Sequence, residues 1–221
     1  MKLYFLSPFI LQKIIWIPTR FSLFFFGHWK ISGMDNLKGI PAPVIFACNH
    51  TSEIDPFFVP ASLPFLSRFA PTFYTSRESK FYTNSGWRRY IYGGFFFKMW
   101  GSYPVHVGLN DYAKSMTHHI EIIRDGGSLC MFPEGRITPD GTIQAAKGGV
   151  AYLSQATGAL IVPVRFEGAF GVSLKDLFLR RRHISIVYGK PMKPTDYLGS
   201  DPMIDELKNY AAVVMAEVGK L

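Results

Sequence analysis

Two polar runs in this chain sit directly behind apolar ones, and their residue types suit chemistry. Asn49-His50-Thr51-Ser52-Glu53-Ile54-Asp55 follows Val44–Cys48, and Pro133-Glu134-Gly135-Arg136 follows Ser128–Phe132. With His50 ending a strand and Asp55 opening the next helix, the carboxylate can return to the imidazole and keep one ring nitrogen protonated. The other nitrogen is then free to take a proton from a hydroxyl. No Gly-x-Ser-x-Gly elbow supplies an enzyme serine, so that hydroxyl belongs to a substrate. His-x-x-x-x-Asp is a weak pattern alone, because His106 and Asp111 repeat it. The second pair stands where a helix begins, with Asn110 or Asp111 as N-cap, so capping is its expected work.

Glu134 and Arg136 at a strand end suit hydroxyl and phosphate binding, Arg being made for bidentate contact; the alternative is a turn with a surface ion pair. Lys147-Gly148-Gly149 precedes a helix, and glycine-rich helix starts attract phosphate through free N–H groups. Cys48 lies two residues before His50, which leaves a Cys–His nucleophile open against the simpler reading of a small buried cysteine. His118 and His119 are adjacent on a helix and cannot share a metal, so they are expected to face solvent or to be structural. Cys48 and Cys130 are the only cysteines, without a pair motif. No metal site and no disulfide framework is expected, and a reducing compartment is the default.

Strands and helices must alternate to place these residues. Strand candidates are Val44–Cys48, Thr72–Thr75, Tyr103–Val105, Ser128–Phe132, Leu160–Val164 and Ile184–Tyr188. Helices are expected near Pro56–Leu66, Arg88–Trp100, Asp111–Arg124 and Gly149–Gln155, with a stop at Asp125-Gly126-Gly127. A last helix opens at Ser200-Asp201-Pro202, with Ile204, Leu207, Ala211, Val214 and Val218 as one apolar stripe. This order predicts an α/β fold, a largely parallel central sheet flanked by helices.

The N-terminus has another character. Residues 1–33 hold nine aromatics together with Lys2, Lys13, Arg20 and Lys30 and no acid, which separates them from the rest of the chain. Charge-free runs are short and Pro8 and Pro18 interrupt them, so residues 1–30 read as two short helices in a membrane interface; a pair of core helices is the alternative. Residues 31–221 then form the remaining domain. No small-residue cleavage site follows the first apolar run, which disfavours a signal peptide. Lys+Arg 24 against Asp+Glu 16 leaves a formal net charge of +8, favouring nucleic acid, anionic lipid or phosphate-bearing partners. The basic residues cluster at Arg77, Lys80, Arg88, Arg89 and Lys98, and again at Lys175, Arg180, Arg181, Arg182, Lys190 and Lys193.

Asn49-His50-x-x-x-x-Asp55, then Phe132-Pro133-Glu134-Gly135, then Ile161-Val162-Pro163-Val164 together resemble the glycerolipid acyltransferase family that includes lysophosphatidate acyltransferases. The likeness runs from about Ile31 to Lys193. It implies transfer of a fatty acyl group from acyl-CoA or acyl carrier protein to a lipid hydroxyl, with His50 as base and Asp55 orienting it. Asn49, Glu134, Gly135, Arg136 and Lys147 are the substrate-binding residues expected under that likeness. It also implies a two-helix membrane anchor, membrane lipids as partners, a monotopic or peripheral protein with its site on the cytoplasmic side, and neither a cofactor nor nucleic acid. Two departures bear on the acceptor. The arginine usual after a Gly-x-x-x-Val strand is absent, since Gly101-Ser102-Tyr103-Pro104-Val105-His106 leads to Val107. Glu134-Gly135-Arg136-Ile137-Thr138 moves the other arginine by one place and is similar to the acyltransferase domain of bacterial acylglycerophosphoethanolamine acyltransferases. A lysophospholipid or another lipid is therefore the expected acceptor. The rival readings are a thioesterase or lysophospholipase using the same dyad on water, and a non-enzymatic binder of lipid or nucleic acid.

Overall fold

Val44–Cys48 is buried at every residue, and a strand buried on both faces needs cover on both. The computed structural model, which describes residues 2–78, 95–106, 111–172, 175–176, 179–193, 199 and 202–221, supplies that cover. Its strands are β1 (Lys30–Ser32), β2 (Val44–Cys48), β3 (Thr72–Ser76), β4 (Ser102–Pro104), β5 (Ser128–Met131), β6 (Leu160–Glu167) and β7 (Ser185–Tyr188). Its helices are α1 (Leu6–Gly27), α2 (Phe58–Ser62), α3 (Phe95–Trp100), α4 (Tyr112–Ser115), α5 (Thr117–Arg124), α6 (Gly149–Thr157) and α7 (Ile204–Lys220). Among the described residues the sheet order is β1-β7-β6-β2-β5-β3-β4, parallel at every pairing except β6 with β7. Alternation along β2 divides the core. Val44, Phe46 and Cys48 join Leu23 of α1, Phe58 of α2 and Trp100 of α3. Ile45 and Ala47 join Ile122 of α5, Leu153 of α6 and Val214 of α7.

This is the α/β sheet that the alternation of elements predicts. The order also puts β2 and β5 side by side, with Phe46 level with Cys130 and Ala47 with Met131. The polar runs behind those two strands therefore emerge together, in the crevice beyond the carboxyl ends where such sheets bind ligands.

The N-terminal segment differs from expectation. It is one continuous helix after a short turn at Leu3–Phe5, not two. Pro8 falls in the first turn, where a backbone N–H has no acceptor within the helix, so its missing donor is harmless. Pro18 lies inside and removes a helical bond. Side-chain bonds to the body hold the helix on both sides of it. Gln12 Nε2 donates to Thr72 O (2.7 Å) and Trp100 O (3.1 Å), and its Oε1 accepts the Thr72 N–H at 3.0 Å. Trp16 Nε1 donates to Leu63 O at 3.0 Å, and Arg20 Nη1 to Ala61 O at 2.9 Å. These three residues, four apart, form a polar stripe facing inward. Leu6, Ile10, Ile14, Ile17, Phe21 and Phe24 form an exposed apolar stripe facing outward.

Smaller differences have local causes. The edge strand β1 is three residues long and owes its existence to β7, so no periodicity announces it. The helix expected over Asp111–Arg124 breaks at Met116 into α4 and α5. That expected over Pro56–Leu66 is the short α2, preceded by a tight turn at Asp55–Phe57. The last helix opens at Ile204, with the Glu206 carboxylate accepting the Met203 N–H at 2.7 Å. Leu207, Ala211, Val214 and Val218 are buried as its stripe requires, while Ile204 is exposed. Lys80, Arg88, Arg89, Val107, Asn110, Ser200 and Asp201 lie outside the described residues.

Candidate active site

Beyond β2 the chain turns sharply, and the turn is organised by one carboxylate. Asp55 is fully buried. Its Oδ2 accepts from His50 Nδ1 at 2.9 Å, from the Thr51 N–H at 2.6 Å and from the Ser52 N–H at 2.9 Å. Its Oδ1 accepts from Thr51 Oγ1 at 3.2 Å and from the Ser52 hydroxyl. A carboxylate is an acceptor only, so the imidazole must present Nδ1–H to it, and Nε2 keeps its lone pair. Nε2 has no hydrogen-bond partner among the described residues. The ring is fixed from one side by Phe132, whose centroid is 4.1 Å away at 19°. His50 retains 17% side-chain exposure, enough for a substrate atom to reach it.

The second run supports the first. Glu134 is buried, and its two oxygens accept the N–H groups of His50 (2.9 Å) and Gln144 (2.9 Å). Burial pushes its carboxyl above the ordinary range, against the lowering effect of those two bonds. Thr138 N–H closes the frame on His50 O at 2.8 Å. Gly135 has φ +69, a conformation that favours glycine, and an added Cβ would meet the Lys147 side chain at 3.2 Å. Its carbonyl accepts from Arg77 Nη2 (2.8 Å) and Nε (3.2 Å). Arg136 is exposed and makes no hydrogen bond or ion pair with a described residue. Arg77, Arg136 and Lys147 thus put three cations around the turn at Gly135, a setting suited to an anionic group.

The expected site residues therefore divide in two. His50, Asp55, Gly135, Arg136 and Lys147 meet at the crevice. Asn49 and Glu134 are turned into the frame. Asn49 is buried and exchanges two bonds with the Phe166 backbone, Nδ2 to O at 2.9 Å and Oδ1 from N–H at 2.7 Å. The decoy pair never forms: Asp111 accepts the Lys114 N–H at 3.1 Å as an N-cap, and His106 instead faces Glu78 at 2.7 Å. Cys48 is fully buried, 3.7 Å from the Cys130 sulfur, and burial raises its thiol well above the usual range, so it is a poor nucleophile. Gly148 serves packing: a Cβ there would come within 2.9 Å of Leu207 and Tyr112, and its N–H donates to the Tyr112 hydroxyl at 3.1 Å. His118 is half-buried and contacts Glu121 at 3.4 Å, whereas His119 is buried.

Arg77 and Phe132 are contacts of the candidate site that residue spacing did not assign to it. Arg77 follows β3, and only the sheet order reveals that β3 lies beside β5.

Residues 28–167, more than half of the chain, match the family model described as Acyltransferase, and the chain belongs to that family. A chloroplastic 1-acyl-sn-glycerol-3-phosphate acyltransferase of Brassica napus is 23% identical over 197 residues, covering 88% of this chain and 53% of the relative. A 1-acyl-sn-glycerol-3-phosphate acyltransferase of Chlamydomonas reinhardtii is 25% identical over 190 residues, covering 82% of this chain and 51% of the relative. The chain thus spans about half the length of the curated relatives it matches. The crystal structure of the 1-acyl-sn-glycerophosphate acyltransferase PlsC from Thermotoga maritima shares the fold, with a TM-score of 0.62 and 19% identity over 92% of this chain and 76% of that one.

Proposed function

We propose that this protein transfers a fatty acyl group from an acyl thioester, carried by coenzyme A or acyl carrier protein, to a hydroxyl of a lysophospholipid or related glycerolipid. The observation that carries the reading is the His50–Asp55 bond with Nε2 left without a partner among the described residues. Nε2 removes the acceptor hydroxyl proton as that oxygen attacks the thioester carbonyl. Asp55 holds the Nδ1–H tautomer and stabilises the imidazolium. When the tetrahedral intermediate collapses, the C–S bond breaks and the imidazolium proton passes to the departing thiolate. General-base catalysis of this kind contributes on the order of 10²–10⁴-fold. Arg136 and Lys147 bind the phosphate of the acceptor, and Arg77 braces the turn that presents them. The outward stripe of α1 rests in a bilayer, which brings the crevice to its lipid substrate. Its inward polar stripe favours a helix lying along the interface over one crossing it, since crossing would strip Gln12, Trp16 and Arg20 of their partners.

The test is mass spectrometry of products after mixing purified protein with several lysolipids and both acyl donors. A diacyl product that depends on acceptor supports the proposal. Free fatty acid formed at the same rate without acceptor makes the protein a hydrolase.

A further inference from the structure

The connection from β6 to β7 returns to the end of α1. Ile184 donates its N–H to Gly27 O at 2.9 Å, and Lys30 donates to Ile184 O at 3.0 Å. Just before this junction Arg180 sets its guanidinium over the Phe25 ring, 5.0 Å from the centroid. Its backbone has φ 54, a region that residues other than glycine seldom adopt. His183 stacks on His28, with centroids 4.8 Å apart and planes at 16°. Segment 179–183 is therefore tied by side-chain contacts to the last turns of a helix far away in sequence.

The surface so built is both basic and apolar. Arg180, Arg181, Lys30, His28 and His183 are exposed. Phe21, Phe24, Phe25 and Leu179 beside them are exposed too. The nearby acids are engaged: Asp176 pairs with Arg182 at 3.5 Å, and Glu167 with Arg165 at 2.8 Å and the Ser185 hydroxyl at 3.1 Å. A soluble phosphate ligand would use the cations and leave the apolar side chains in water. The headgroup layer of an anionic bilayer uses both, with rings below the phosphates and guanidinium groups among them.

This rim also lies at the catalytic end of the sheet. Near its start, α1 bonds through Gln12 to Thr72, where β3 opens. At its end, Gly27 meets Ile184 just ahead of β7, whose Ser185 pairs with Glu167 at the carboxyl end of β6. His50 follows β2, which runs parallel to β6, Cys48 being level with Val164. We propose that Arg180, Arg181 and Lys30 form a rim that binds anionic phospholipid headgroups and turns the catalytic end of the protein toward them. This rests on the reading that the outward stripe of α1 lies in a bilayer.

Flotation of the full chain at low salt tests it, with vesicles of phosphatidylcholine alone and with roughly a third phosphatidylglycerol. The wild type should prefer the anionic vesicles, and Arg180→Gln with Arg181→Gln should lower that preference about 25-fold, at about 5-fold per cation. Binding to neutral vesicles should not change, which also reports that the variant is folded. Neutral binding without an anionic preference in the wild type overturns the rim alone. Binding to neither vesicle overturns both the rim and the bilayer reading of α1. An undiminished preference in the variant, joined to slower turnover of carrier-protein-bound acyl groups, would assign the surface to an acidic protein instead.

Discussion

Asp55 sets the geometry of the dyad because every donor on it comes from within five residues: His50, Thr51 and Ser52. His50→Ala should lower kcat by at least about 10²-fold, and Asp55→Asn nearly as much, since an amide turns donors toward donors and releases the tautomer. Turnover by the purified variants checks this, with circular dichroism to confirm folding. His106→Ala should keep most activity, because His106 has Glu78 as its partner and not Asp111. Near-normal turnover in His50→Ala would falsify the mechanism. Arg136 makes the second case. With its guanidinium unengaged by any described residue, Arg136→Ala should raise the acceptor KM more than the donor KM. Loss of a charge-assisted contact of roughly 1.5–3 kcal/mol gives about a 10- to 150-fold fall in kcat/KM. A raised donor KM with an unchanged acceptor KM would move Arg136 to the thioester side.

Among the elements, α5 carries a group whose burial has a pH consequence. His119 is fully buried, with only weak backbone contacts from Tyr103 and Tyr74 to favour its charged form. Burial, reinforced by the neighbouring His118, lowers its pKa from 6.5 to about 4. Between those values the unfolded chain binds a proton that the native state does not, so stability falls as pH drops from 6.5 toward 4. The loss from this group approaches about 3 kcal/mol at the acid end. Denaturant melts at pH 7 and pH 4.5 should therefore differ less in His119→Leu than in the wild type. An equal difference in both would show that other groups drive the acid loss. Because Leu23 and Phe5 are buried with the core, deleting residues 1–30 strips the body as well as the outward stripe. Replacing Ile14, Ile17, Phe21 and Phe24 by Ser leaves the inward bonds in place and is the cleaner variant.

For the whole molecule, the proposed bilayer contact of α1 raises the question of which force would hold the protein there. Ile14, Ile17, Phe21 and Phe24 are each more than three-fifths exposed. Inserting them at roughly 1.5–3 kcal/mol each gives on the order of 10 kcal/mol, an upper value because insertion is partial. Each cation near an anionic leaflet adds about 1 kcal/mol, and salt screens it. High salt should therefore leave the protein on vesicles and detergent should release it, as flotation at low and high salt will read. Complete release by salt alone would make the basic clusters the anchor. Headgroup preference and anchoring are then separate properties, one electrostatic and the other apolar.

Local order was open to sequence reading. Apolar runs bounded by turns marked Val44–Cys48 and Ser128–Met131 because burial on both faces demands such runs. The dyad spacing was visible too, yet His106 and Asp111 share it, and only the fold separates them. The chain after His50 folds back on Asp55, while Asp111 is drawn off to cap α4. The inward roles of Asn49 and Glu134 and the brace from Arg77 belong to the tertiary structure, since each joins residues at least 58 positions apart. The continuity of α1 through Pro18 belongs there as well, because its stabilising partners, Thr72, Trp100, Leu63 and Ala61, come from later in the chain. Periodicity and spacing record forces among near neighbours. Strand order and side-chain bonds to distant backbone are settled only when the whole sheet packs, and that packing brings His50, Gly135 and Arg77 into one crevice.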